Sequence, residues 1–188
     1  MCKLLNNYLI QKVTVFFSVC LLLVLTTSFI LSKKNPKKEK INWLTLSELQ
    51  AVYSKDPRPV LVDVYTHWCQ WCKVMDKETY NNDNVASYIN EHYYAVRFDA
   101  ESKDSVSWAG AKFGYNLTYR ANDLALYFTS GQMSFPTTVL LSDITAQPAP
   151  LPGFLKPGEL EPPLKYFGDG FYKNQNFTDF YKSFNASW

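Results

Sequence analysis

The chain has 188 residues, of which 47% are apolar and 16% are aromatic, and its formal net charge is +2. This length and apolar content suffice for one domain with a buried core and an appended segment. Because the net charge is small and no block of basic residues is interleaved with aromatics, the composition argues against a nucleic-acid partner.

An uncharged apolar stretch at residues 13–31 stands near the N-terminus. As a helix it would be roughly 28 Å long, enough to cross the hydrocarbon core of a bilayer. It is longer than the apolar part of a signal peptide, ~7–15 residues, and no A-x-A-like cleavage site follows it. The sequence therefore favours an uncleaved anchor over a cleaved signal sequence. We expect an N-terminal segment 1–12, a transmembrane helix 13–31, a lysine-rich linker 32–40 and one domain over 41–188.

Lysines flank this apolar stretch unequally. Lys3 and Lys12 precede it, whereas five lysines lie between positions 33 and 40. Cytoplasmic flanks usually carry the excess of positive charge, so the linker argues for a cytoplasmic domain. Anchors that deliver an exported domain show the opposite bias, and the orientation stays open.

The first elements of the domain follow in chain order from Thr45. "TLSELQAVY" places Glu48 three residues after Thr45, a capping-box signature that predicts a helix. "VLVDVY" at 60–65 is apolar and β-branched and predicts a buried strand, although it contains Asp63. A buried acid is costly unless it is protonated or paired. An edge strand with Asp63 facing water is therefore the alternative.

The next elements complete a strand–helix–strand unit. "THWCQWCKVMDKETY" predicts a helical stretch, and "VASYINEHY" predicts a second one capped by Asn82 or Asp83. "YAVRFDAE" at 94–101 predicts a strand. The pattern indicates a βαβ unit with a right-handed crossover.

The second half of the domain is less regular. Residues 102–131 contain one helical pattern, "NDLALYFTS", with Leu124 and Phe128 inward. "SFPTTVLLSD" predicts a strand over 137–141, "APLPGF" a short partner strand, and "PGELEPPLKYF" a helix that begins near Pro157. "FTDFYKSF" predicts a last amphipathic helix whose inward face consists of Phe177, Phe180, Tyr181 and Phe184.

Two of the four cysteines, Cys69 and Cys72, form a C-x-x-C pattern. Residues three apart on a helix share a face, with Cα atoms about 5 Å apart, so this pair can close a disulfide. A position in the first helical turn would stabilise the thiolate of Cys69, while Cys72 would point inward as the resolving thiol. Asp63 is the candidate proton acceptor, because burial would raise its pKa toward neutrality.

Other interpretations of this segment are open. His67 and the two cysteines would give only three metal ligands, whereas structural zinc prefers four, so we expect no metal site. His67 is more simply a solvent-facing loop residue. Trp68 and Trp71 would form a hydrophobic rim around the thiols, and Trp71 would offer apolar docking surface to a substrate peptide.

The segment "VLVDVYTHWCQWCK" resembles the active-site segment of the thioredoxin superfamily. That family combines an apolar strand, a buried acid, a tryptophan, C-x-x-C and a lysine, which here fall on Asp63, Trp68, Cys69, Cys72 and Lys73. Downstream, "SFPTTVLL" is similar to the family's cis-proline segment, with Pro136 as the proline between Phe135 and Thr137. In the family the pre-proline residue offers backbone hydrogen bonds to an extended substrate. The resemblance thus adds Phe135 and Pro136 to Trp68 and Trp71 as substrate-binding residues, supported by Lys73 and Thr137.

The resemblance covers 41–188 and implies an α/β thioredoxin fold, a central mixed sheet flanked by helices. It is greatest to anchored or exported bacterial thioredoxin-like proteins with a W-C-x-W-C-K-x-M motif. It implies a thiol–disulfide oxidoreductase that acts as a reductase on protein substrates, with no organic cofactor. It also implies a periplasmic domain supplied by a membrane thiol electron donor. A tethered, chaperone-like binding module with redox-idle thiols is the alternative.

Three departures from the family pattern stand out. The dipeptide between the cysteines is Gln70-Trp71, and this dipeptide tunes the redox poise. Pro136 lies 64 residues after the second cysteine, which indicates an insertion near 102–131. The lysine that thioredoxins often place near the buried acid has no match, and the nearest cation in "YAVRFDAE" is Arg97, whose direction is open.

Overall fold

The computed structural model describes residues 40–188, and the structural statements below concern this part of the chain. The predicted anchor 13–31, the segment before it and the linker up to position 39 lie outside the described residues. Among helices from position 40 onward, none is long and apolar enough to cross a bilayer.

The described residues form nine short strands and six α-helices. The strands are β1 (Trp43–Leu44), β2 (Val60–Tyr65), β3 (Tyr94–Asp99), β4 (Val106–Trp108), β5 (Ala111–Phe113), β6 (Tyr115–Asn116), β7 (Ala121–Asn122), β8 (Thr137–Leu141) and β9 (Ala149–Pro152). The helices are α1 (Leu46–Tyr53), α2 (Gln70–Met75), α3 (Asp83–His92), α4 (Asp123–Phe128), α5 (Pro157–Gly168) and α6 (Phe177–Ser183). A π-helical turn, Asp76–Tyr80, continues α2, and a 3₁₀ turn, Phe171–Lys173, precedes α6.

Five strands form one mixed sheet in the order β1-β3-β2-β8-β9. β1 and β2 run parallel to β3, whereas β8 runs antiparallel to both β2 and β9. The mixed α/β sheet predicted from the sequence is therefore confirmed. Because β2 is the central strand, the alternative that places Asp63 on an edge strand is wrong.

The two faces of β2 pack into separate cores. Val60, Val62 and Val64 lie in one core with residues of α1 and α4. Leu61 lies in the other, together with Met75 and residues of α3 and α5. Side chains alternate along a strand, so Asp63 shares the face of Leu61. This is the face covered by α2, which carries Cys72 and begins directly after Cys69.

Helix starts follow the capping pattern of the sequence. Thr45 and Glu48 form the predicted capping box of α1. Asn82 caps α3, since its side chain accepts hydrogen bonds from the backbone N–H groups of residues 84 and 85. These caps satisfy donors that the first helical turn leaves unpaired.

Residues 102–131 fold into two small hairpins, β4–β5 and β6–β7, followed by α4. The buried Asn122 caps α4, and its Nδ2 donates to the carbonyl oxygens of Ser102 (3.1 Å) and Asp104 (2.9 Å). Trp108 packs edge-on against Phe128 at 4.9 Å between ring centroids. These contacts hold the hairpins and α4 together, and the Asn122 N–H donates to the carbonyl oxygen of Ala100, just after β3, at 2.7 Å.

The final helix is only partly as predicted. Phe180 is buried, but Phe177 is 40% exposed and Tyr181 is 59% exposed. The predicted inward face is therefore wrong for those two residues. α6 has only seven residues and packs mainly through Phe180, whose ring lies 5.4 Å from that of Tyr166. A helix this short buries a narrower stripe than its full apolar pattern suggests.

Candidate active site

The two cysteines lie where β2 gives way to α2. A turn follows the strand, in which the Cys69 N–H donates to the carbonyl oxygen of Thr66 at 3.2 Å. Cys69 is the N-cap of α2, one position earlier than the first-turn placement we expected. Cys69 and Cys72 form a disulfide with a Cα–Cα distance of 5.3 Å. The i, i+3 spacing thus brings the two sulfurs together as the sequence predicts.

The environments of the two sulfurs differ in hydrogen bonding more than in exposure. Cys69 is 4% exposed and Cys72 is 7% exposed, so both are buried. The Cys69 Sγ accepts a hydrogen bond of 3.0 Å from the backbone N–H of Cys72. A donor at this position stabilises negative charge on the sulfur of Cys69 in the reduced state.

Asp63 is the acid of the site. It is 3% exposed, and burial raises its pKa to about 6 although the nearby Arg97 opposes that rise. Among the described residues its Oδ1 has no hydrogen-bond partner, and neither does the Oγ1 of Thr66. Asp63 shares a cavity of about 190 Å³ with both cysteines. A carboxyl that titrates near neutrality beside a dithiol can exchange protons with it.

Arg97 lies against Asp63. The direction of the Arg97 side chain could not be predicted from the sequence. The two residues are direct partners in the parallel β2–β3 pairing, so their side chains emerge on the same face. Arg97 Nε is 3.3 Å from the Oδ2 of Asp63, although its alignment does not meet the criteria of a hydrogen bond. The guanidinium also pairs with Asp76 and stacks over the ring of Trp43 at 4.5 Å. The common face of positions 63 and 97 in two adjacent strands is the signal that could have predicted this contact.

Two aromatic pairs involve the tryptophans that neighbour the cysteines in sequence. Trp68 is 63% exposed and lies edge-on to Phe135 at 6.0 Å. Trp71 is 60% exposed and lies 5.8 Å from Phe154. Phe154 was missed because it is more than 80 residues away in sequence from the motif. The predicted substrate-binding residues thus share their surroundings with a fourth aromatic side chain.

The segment before β8 reaches the site through the contact of Phe135 with Trp68. The Phe135–Pro136 peptide bond is cis, and the Pro136 carbonyl oxygen accepts a 2.7 Å hydrogen bond from the N–H of Gly153. Thr137 pairs with Val64 in the antiparallel β2–β8 register. This register places Pro136 opposite Tyr65 and Phe135 opposite Thr66, at the end of β2 from which the cysteine turn emerges.

Lys73 and His67 are polar residues that line the cavity next to the disulfide. His67 is solvent-facing as expected, with 78% of its side chain exposed, and its Nε2 lies 3.2 Å from the Oδ2 of Asp99. The indole Nε1 of Trp68 donates to Glu101 at 3.1 Å, which ties the aromatic rim to the end of β3.

The protein has a five-stranded mixed sheet and a disulfide at the N-terminus of α2, the helix that follows the central strand β2. These features define a protein of the thioredoxin-like α/β class. A solved structure described as DsbH oxidoreductase has the same fold, with a TM-score of 0.52 and 16% identity. The alignment covers 74% of this chain and 92% of that one. Residues 22–145 match the family Thioredox_DsbH, described as a protein of unknown function, DUF255, and the chain belongs to that family.

Curated relatives share short segments with this chain. An uncharacterized protein of Caenorhabditis elegans is 30% identical over 67 residues, which cover 35% of this chain and 9% of that protein. The thiol:disulfide interchange protein DsbD of Pectobacterium atrosepticum is 31% identical over 45 residues, 24% of this chain and 8% of that protein. The matches thus span less than a tenth of the length of these relatives.

Proposed function

We propose that this protein is a thiol–disulfide oxidoreductase that exchanges the Cys69–Cys72 disulfide with protein substrates. The observation that carries the proposal is a disulfide capped by a helix N–H above a cavity shared with a buried carboxyl that titrates near neutrality. Membership of the Thioredox_DsbH family and the segment similar to a thiol:disulfide interchange protein support it.

The reduced protein would act in two steps. The Cys69 thiolate attacks a substrate disulfide, one substrate sulfur leaves as a thiolate, and a mixed disulfide forms. The Cys72 thiol then transfers its proton to Asp63 and attacks the Cys69 sulfur, which expels the second substrate thiolate. The substrate disulfide takes up two electrons and two protons and becomes two thiols. The protein is oxidised back to its Cys69–Cys72 disulfide. The couple needs no organic cofactor.

We propose that the protein acts mainly as a reductase. Asp63 and Asp76 both line the cavity beside the sulfurs, and negative charge there opposes thiolate formation and favours the disulfide. Arg97 and Lys73 offset part of this effect. A reduction potential more negative than the glutathione pool, about −220 to −260 mV by biochemical methods, would support this direction. A potential near that of a strong oxidant, about −120 mV, would reverse it.

A reductase of this kind needs an electron supply. We propose a membrane thiol donor and an extracytoplasmic, periplasmic domain tethered by residues 13–31. A periplasmic reporter fused after Trp188 would be active if this orientation is right. A reporter active only in the cytoplasm would support the orientation that the lysines at 33–40 favour.

Insulin reduction tests the proposed activity. Wild type should reduce insulin in the presence of a small thiol, whereas Cys69→Ser should lose this activity. Cys72→Ser should accumulate a mixed disulfide with insulin because the resolving thiol is gone. Cys20→Ser, which removes a thiol outside the motif, is the matched control and should behave as wild type. Equal rates for wild type and Cys69→Ser would exclude the proposed oxidoreductase activity.

The exposed aromatic rim favours a second candidate from a different class, a tethered binding module. Trp68 and Trp71 expose more than half of their surface, as anchor residues of a binding site do. This candidate predicts that Cys69→Ser still suppresses aggregation of an unfolded client as wild type does. The oxidoreductase predicts that the same variant loses turnover.

A further inference from the structure

We propose that Asp76 is a positioning residue that holds Arg97 beside Asp63 without letting the two pair fully, and so sets the proton affinity of the Asp63 carboxyl. The consequence for turnover rests on the proposed function, whereas the geometry does not. In this arrangement one cation is shared between a buried and a partly exposed carboxylate.

The contacts of Arg97 are unequal. Its terminal nitrogen Nη2 pairs with Asp76, whose side chain is 39% exposed. Towards Asp63 it presents only Nε, at 3.3 Å and poorly aligned. Trp43 covers one face of the guanidinium at 4.5 Å. Asp76 and Trp43 together therefore restrict the guanidinium to an orientation in which Nη2 faces Asp76 and only Nε faces Asp63.

An unrestrained arginine would act differently. A guanidinium that meets a carboxylate with two parallel hydrogen bonds makes one of the strongest side-chain pairs in proteins. Such a pair lowers the pKa of an aspartate by about 1–3. In the observed geometry burial outweighs the attraction of Arg97, and the pKa of Asp63 is about 6. Because Arg97 is paired with Asp76, it does not donate to Asp63 the two hydrogen bonds that would lower the pKa of the Asp63 carboxyl.

Within residues 40–188, no cation other than Arg97 forms an ion pair with Asp63. Tyr65 of the same strand and Tyr80 of the π-helical turn lie close enough for Asp63 to raise the pKa of each tyrosine further, after burial. Tyr80 is itself hydrogen-bonded to Thr138 of β8 at 2.8 Å. The remaining titratable groups around the shared cavity are His67, Cys69, Cys72, Lys73 and Asp76. Arg97 is the cation that lowers the pKa of Asp63.

The test is a carboxyl titration of the oxidised, full-length protein labelled with ¹³C-aspartate, in detergent if required. Asp63→Asn identifies the Asp63 resonance. Asp76→Asn should lower the Asp63 midpoint by about one pH unit, because Arg97 is freed to pair with it. Arg97→Gln should raise the midpoint, because the cation is gone. Asp83→Asn, an exposed aspartate at the start of α3, is the matched control and should change nothing.

A double-mutant cycle separates positioning from direct repulsion between the carboxylates. If Asp76 acts through Arg97, Asp76→Asn should have no further effect in the Arg97→Gln background. An equal fall in both backgrounds would overturn the proposal, as would an unchanged midpoint in Asp76→Asn. Asp76→Glu keeps the charge and should restore the wild-type midpoint. Its failure to do so in a folded protein would also overturn the positioning role.

Turnover is measured separately, so the two proposals can fail independently. In the pH profile of insulin reduction, the acid limb should shift to lower pH in Asp76→Asn, by the same amount as the Asp63 midpoint. If the midpoints move as expected but wild type reduces no insulin, the positioning role stands and the proposed function fails. If wild type is active but the midpoints do not move, the function stands and the positioning role is overturned.

Discussion

The backbone N–H of Cys72 donates a 3.0 Å hydrogen bond to the Sγ of Cys69, so Cys69 caps the helix that carries its own disulfide partner. The two sulfurs are almost equally buried. Their chemical difference therefore lies in the helix start and not in access to solvent.

Cys69 should be the more reactive thiol of the reduced protein. In a background without Cys2, Cys20 and Cys72, its alkylation should be half-maximal well below pH ~8.5, where an ordinary thiol titrates. The reason is the helix N–H aimed at its sulfur. The matched variant keeps Cys72 and lacks Cys69, and should alkylate more slowly at neutral pH. Similar pH curves for the two variants would contradict the assigned roles.

Asp63→Asn should stabilise the oxidised protein at pH 8. The folded pKa of Asp63 is raised from 3.8 to about 6 by burial, so its contribution to stability is complete below pH ~4 and is lost as the pH rises through 6. The ionised carboxyl costs about 3 kcal/mol. Urea unfolding of both proteins at pH 4 and pH 8 measures the difference in their free energies of unfolding. A variant that is no more stable at pH 8 than wild type would show that Asp63 is not destabilised when ionised.

Trp71→Ala should weaken the binding of protein substrates more than that of small disulfides. Trp71 is 60% exposed and its ring lies on Phe154, so the substitution removes docking surface with little loss of core. We expect KM for insulin to rise about tenfold, equal to about 1.4 kcal/mol, with little change for a small aromatic disulfide. Tyr181→Ala, an aromatic of equal exposure on α6, is the control. The prediction fails if both substrates are affected alike.

Glu161→Gln should destabilise the domain by about 1–3 kcal/mol at pH 7, because a buried charged acceptor is lost. Burial by itself raises the pKa of Glu161, but hydrogen bonds from Lys165, Ser187 and Trp188 together bring it below its ordinary value. A lowered pKa means that this stability is present above pH ~4.5 and is lost as the pH falls through the folded value.

Urea unfolding from pH 3 to 7 tests the Glu161 prediction. The difference between Glu161→Gln and wild type should shrink toward acid pH. Glu91→Gln is the matched control, since Glu91 is 75% exposed and its carboxylate lies 3.9 Å from the imidazole of His92. A constant difference across this pH range would assign the effect to packing and not to the charge.

Local patterns predicted much of the fold. The apolar run at 60–65 became the central strand, and Thr45 with Glu48 formed the expected cap. The helix with two internal prolines, Pro162 and Pro163, also begins at Pro157 as predicted. These elements depend on side-chain periodicity and capping, which neighbouring residues determine. Phe177 and Tyr181 were misplaced because burial of a short helix depends on what it packs against.

For the site, the sequence by itself determined the chemical groups: two cysteines three apart after a strand, and an acid within that strand. Their spacing on one helix and one strand fixes them locally. Only the tertiary structure decided the partner of the acid, because Arg97 reaches Asp63 through strand register and Asp76 reaches Arg97 from the π-helical turn. Phe154 joined the aromatic rim for the same reason. Contacts between elements distant in sequence depend on how the sheet is assembled, which no local pattern encodes.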